Sequence, residues 1–211
     1  ITVPVPAPVL DIDEELWQFT HVTYSLIARV LIAALLLAYG MVEDNLLFMV
    51  GGLIFLPFMP LVLALAFGML ARQWTLVAQA LLAFVLATGL IVVGAALVAS
   101  LLDPPLLFDK FAPPAAGVAF SLLIGIAGAL GTADDTGHRQ LVGLAAASQL
   151  AILPAWFGIS LVFGFSDDVI QKLASFAANA AALTAGSFGT YALLGFRQFS
   201  YRIAHRKEYE V

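Results

Sequence analysis

GGLIFLPFMPLVLALAFGMLA, residues 51–71, is an apolar run without one charged side chain. It continues an apolar segment that starts at Leu46. A span of 46–71 exceeds the roughly 20 residues that cross a hydrocarbon core as helix. Pro57 and Pro60 sit inside it. Each proline lacks a backbone N–H and blocks the carbonyl one turn back. In lipid, an unpaired carbonyl costs several kcal/mol. Behind the pair Gly51-Gly52, the two prolines leave two readings open. One is a simple kink. The other is a discontinuous span whose freed backbone groups meet a neighbouring helix, water or a bound ion. Gly51, Gly52, Pro57 and Pro60 are therefore candidate substrate-binding positions.

The rest of the chain has the same character. Of 211 residues, 62% are hydrophobic and 11% charged, with a mean hydropathy of +1.01. Soluble domains carry about 25% charged residues, so these charges cannot cover a water-exposed surface. The expected fold is an all-α polytopic membrane bundle of about six transmembrane helices. The spans fall at 22–40, 46–71, 75–102, 115–130, 141–163 and 169–196. Residues 1–21 form a Pro/Val-rich linker and an acidic interfacial segment, with Asp11 and Asp13 as candidate N-caps. The transmembrane domain covers 22–197, in halves of about 22–102 and 115–197, and 198–211 is a basic tail.

An even number of spans puts both termini on one side. Arg72, Arg139, Arg197, Arg202, Arg206 and Lys207 lie there, against Lys110 and Lys172 on the other. The positive-inside rule then places both termini in the cytoplasm and the protein in the cell inner membrane.

The halves are alike. Leu-Pro at 56–57 and Phe-Gly at 67–68 recur as Leu-Pro at 153–154 and Phe-Gly at 163–164. Three spans per half would insert the halves in opposite orientations. Inverted repeats with proline-interrupted helices point to a solute site near the midplane. Pro154 joins the candidates on this ground.

Polar groups inside the spans complete the set. Arg29 is the one basic residue well inside a span. It either faces an anionic partner in the bundle, or snorkels or pairs with the acidic lead-in. Gln149 and Asn179 are interhelical hydrogen-bonding groups, placed to converge with Pro154 on a break in the fifth span. Asp134, Asp135 and His138 share one turn, but their irregular spacing does not make a metal site. The net charge of −5 argues against nucleic acid. Cysteine is absent, and there is no HExxH, GxSxG, Walker or CxxC pattern. No catalytic residues, no metal and no enzymatic activity are expected, and a cofactor cannot be read.

Four stretches in order carry a family resemblance: GGLIFLPFMPLVLALAFG (51–68), GIAGALGTADD (125–135), LAILPAWFGISLVFG (150–164) and AANAAALTAGSFGTYALLGFR (177–197). Together they resemble the membrane proteins grouped as domain of unknown function 389, over 22–197. The resemblance implies a six-span domain, often behind a soluble N-terminal region. Asn179 matches a family asparagine, whereas Ala83 stands where the third span would carry another. Pro57 and Pro60 are spaced more closely than the family pattern, and Ala155 replaces a second proline.

Two functions follow as expectations. One is a transporter- or channel-like protein for a small solute or ion. The other is a non-catalytic membrane subunit that scaffolds or caps a larger complex. Membrane lipids, further copies of the chain or other membrane subunits are the expected partners, with Gly117, Gly125, Gly128 and Gly131 of the fourth span allowing close helix contact.

Overall fold

The computed structural model describes residues 9–104, 113–133, 139–164 and 169–196. The basic tail and the Asp134–Asp135–His138 turn lie outside the described residues. The architecture is all-α: α1 (Val9–Thr20), α2 (Tyr24–Val42), α3 (Leu46–Ile54), α4 (Phe58–Ala71), α5 (Trp74–Ala99), α6 (Pro114–Ala133), α7 (Arg139–Phe163) and α8 (Val169–Leu193).

Five spans among the described residues are long and apolar enough to cross a membrane: α2, α3 with α4, α5, α6 and residues 141–163 of α7. The protein is membrane-embedded on this ground. The sixth expected span, α8, has the length at 25 residues. It falls short in hydropathy because Asn179, Thr184, Ser187 and Thr190 share it with many alanines.

The termini of the elements follow local chemistry. Thr23 caps α2 by accepting from the Leu26 N–H at 3.1 Å, and Asn45 caps α3 by accepting from Leu47. The first span does not stop at Gly40, as a glycine C-cap would predict; α2 runs to Val42. Gly40 serves close approach instead. A Cβ there would lie 2.5 Å from the Met49 nitrogen of α3. The acidic lead-in is helical throughout, so Asp11 and Asp13 lie inside α1 and not at its N-cap. Its apolar side, Ile12 and Leu16, is buried, and α1 packs on α4 and α5.

The second span is interrupted. Phe55, Leu56 and Pro57 separate α3 from α4. Leu56 precedes a proline and is thereby pushed out of the helical region. Pro57 occupies the N-cap of α4 and Pro60 its first turn, where the missing N–H has no helical partner to lose. The fifth span differs: α7 is continuous, with Pro154 inside it. The expected second break is therefore corrected to one broken span. Pro154 removes a single backbone donor, which α7 tolerates without ending.

Packing is tightest where glycine or alanine lets backbones meet. α6 lies along α8 as the most extensive pair, followed by α5 with α7 and α2 with α5. α4 packs against both α5 and α8. Added Cβ atoms at Gly125 and Gly186 would strike the backbone of Leu183 and Leu122 respectively.

Candidate functional site

The interruption of the second span sits inside the bundle. Leu56, Pro57, Phe58 and Met59 are buried, while Ile54 and Phe55 face outward. Phe55 N–H donates to Gly52 and Leu56 N–H to Leu53, three residues back in each case. On the far side, Leu61 N–H donates to Pro57. No backbone bond returns from α4 to the carbonyls of Ile54, Phe55 and Leu56, so these oxygens stand outside both helical ladders.

The two glycines before the break have different roles. A Cβ on Gly52 would lie 2.7 Å from the Ala33 carbonyl oxygen and the Leu37 nitrogen, so Gly52 brings α3 onto α2. Gly51 borders open space. Met59, just past the break, fills the notch that Gly128 leaves in α6.

An aromatic chain links the break to α8. Phe58 meets Phe84 of α5 edge-on at 5.4 Å between centroids. Phe84 in turn stacks on Phe176 of α8 at 6.0 Å. Phe176 lies one turn before Asn179.

Asn179 is the site's main polar group. Its side chain is buried against Gly117 of α6, with Oδ1 3.1 Å from where a Cβ on Gly117 would stand. That oxygen is buried and has no hydrogen-bond partner. Ser121, one turn beyond Gly117 on the same face of α6, is also fully buried with an unpartnered hydroxyl. Nearer the other end of the seam, Ser187 donates to the Gly125 carbonyl at 3.0 Å, and the Thr132 and Tyr191 hydroxyls pair at 3.1 Å.

The remaining candidates disperse. Lys172 places its ammonium 3.6 Å from the Trp156 ring centroid, which fixes α7 antiparallel beside α8. About two turns from that contact, Gln149 on α7 reaches the level of Asn179, but no hydrogen bond joins them. Pro154 is buried within α7. Arg29 is half-buried on α2, and its Nε has no hydrogen-bond partner. The structure thus links Phe58, next to Pro57, to Phe176 on α8, one turn before Asn179, through the aromatic chain. It does not join Arg29, Gln149 or Gly51 to them. Ser121 and the Phe58–Phe84–Phe176 chain escaped the reading of the sequence. Serine and phenylalanine are common in apolar spans. The available signal for Ser121 was its place between Gly117 and Gly125 on one helical face.

A membrane-embedded helical bundle with one interrupted span and a buried amide on another helix is the class that fold and site define. The profile of the family described as "Domain of unknown function (DUF389)" matches residues 53–185, from within α3 to within α8. The chain belongs to that family. No curated protein and no solved structure matches the chain.

Proposed function

We propose that this chain is a transporter- or channel-like protein for a small solute or ion, passing near the broken second span. The observation that carries this reading is the interruption at Phe55–Pro57, where Leu56 and Pro57 are buried and the carbonyls of Ile54, Phe55 and Leu56 lie outside the helical ladders. Irregular backbone at membrane depth is tolerated where it is buried in protein or lines a water-filled cavity.

The arrangement of helices supports an inverted repeat. α2 packs on α5 in the first half as α6 packs on α8 in the second. Across the halves, α5 meets α7 and α4 meets α8. Exchanging α2 with α6, the broken span with α7, and α5 with α8 maps one set of contacts onto the other. Under this reading the chain is not an enzyme, and both termini face the cytoplasm at the cell inner membrane.

Purified protein in liposomes, tested with alkali-cation gradients and small neutral solutes, decides the matter. Flux above protein-free vesicles is expected, and Asn179→Leu, checked for retained helicity and melting, is expected to lower it at least tenfold. No flux of any of these would reject the pathway.

A scaffold subunit is the second reading, and one feature favours it. The outward face of α8 carries Ala174, Ala178, Ala181 and Ala185 between the exposed Ile170 and Phe188. Small residues on an outward helix face suit contact with another helix, from a further copy or another subunit. By contrast, Gly117, Gly125 and Gly128 of α6 are occupied by contacts within the chain.

A further inference from the structure

Two buried oxygens on one helix seam lack partners, and both are unusual in their setting. Ser121 Oγ is fully buried. Every other described hydroxyl beyond the first turn of α5 to α8, from Thr88 to Thr190, donates to the carbonyl three or four residues back. Ser121 does not make that bond, so its hydroxyl is free to turn toward α8. Asn179 is 6% exposed, and its Oδ1 likewise meets no donor. Gly117 clears the space for the amide: with any side chain there, Asn179 would have to move. A buried polar atom without a partner is costly, by about 1–3 kcal/mol. Two on adjacent turns of one seam indicate a ligand between the helices.

The chemistry of the seam selects the class of ligand. The groups are neutral oxygens. Neither α6 nor α8 contains an acidic residue, and the one basic residue of the pair, Lys172, is held over Trp156. Divalent cations need carboxylates or retained water to offset dehydration. An anion would need cationic or strong donor groups. A monovalent cation is satisfied by carbonyl and hydroxyl oxygens at lower dehydration cost.

We propose that the α6–α8 seam binds a monovalent alkali cation through Asn179 Oδ1 and Ser121 Oγ. The site deepens the transport reading by supplying an ion to it, and it takes its purpose from that reading, but its occupancy is measured independently of flux.

The test is thermal unfolding of the full chain in nanodiscs, in NaCl or KCl against choline chloride at constant ionic strength. A saturable rise of the midpoint by about 3 °C or more is expected with one of the alkali cations. Asn179→Ala and Ser121→Ala should lose that rise while melting cooperatively in choline. Asn179→Asp, which adds a carboxylate, should lower the half-saturating cation concentration at least tenfold, and it decides the matter if the alanine variants do not fold. Equal midpoints in all three salts, or a rise that survives both alanine variants, would overturn the site and leave an ordered water in its place. A cation response without flux would support this site while rejecting the transport reading; flux without a cation response would do the reverse.

Discussion

Gly125 shows how much of this bundle is decided by single hydrogen-for-methyl differences. A Cβ at Gly125 would strike the Leu183 carbonyl, backbone that cannot rotate away. Gly125→Ala should push α6 off α8, break the Ser187–Gly125 bond, and destabilise by about 1–3 kcal/mol. Gly189 on α8 borders open space. Gly189→Ala should be neutral or stabilise by up to about 1 kcal/mol through helix propensity. Unfolding of both variants in one detergent, scored by circular dichroism, checks the pair; equal midpoints would contradict the packing described here. At this scale the sequence was only partly legible. Asn179 stood out because an amide in an apolar run is rare. Ser121 did not, because a serine in a membrane helix ordinarily satisfies itself on the preceding turn. Only its neighbours in space reveal that it does not.

The elements were more legible than the residues. Apolar runs bounded by charged or proline-rich turns placed the spans within a few residues of α2, α3 with α4, α5, α6, α7 and α8. Proline content alone did not separate break from kink. Pro57 and Pro60 accompany a break and Pro154 does not, because Pro57 and Pro60 together remove donors on both sides of one turn. Leu53 and Leu56 would be the carbonyls left without donors in a continuous helix. Hydrogen exchange tests this difference. Residues 55–61 should exchange faster than 62–70 in the native chain. The double substitution Pro57→Ala with Pro60→Ala should slow exchange at 58–61 by restoring the ladder, whereas Pro60→Ala alone should change stability by less than about 1 kcal/mol, since its position needs no donor. Uniformly slow exchange across 55–71 in the native chain would show a helix without a break.

At the scale of the molecule, the two halves share a packing plan more than a sequence. Leu-Pro and Phe-Gly recur at matching places, but the helix pairs exchanged between halves could be seen only once the chain was folded. The asymmetries are informative. The first half has the break and Ala83, fully buried; the second has a continuous α7 and Asn179. Interruption and amide thus come from different halves and are joined by the Phe58–Phe84–Phe176 chain. If solute passes here, the broken backbone and the amide serve one pathway, and water must reach the interruption. The chain has no native cysteine, so single cysteines report without background. The direct measurement is labelling of Leu56→Cys and Met59→Cys, both buried, by a membrane-impermeant thiol reagent applied to each side of sealed vesicles, with Asp44→Cys as the exposed control. The account predicts that at least one buried position reacts from one side, within about a hundredfold of the control rate. Silence at both positions from both sides, with the control fully labelled, would show a dry interruption and contradict a solute pathway through this bundle.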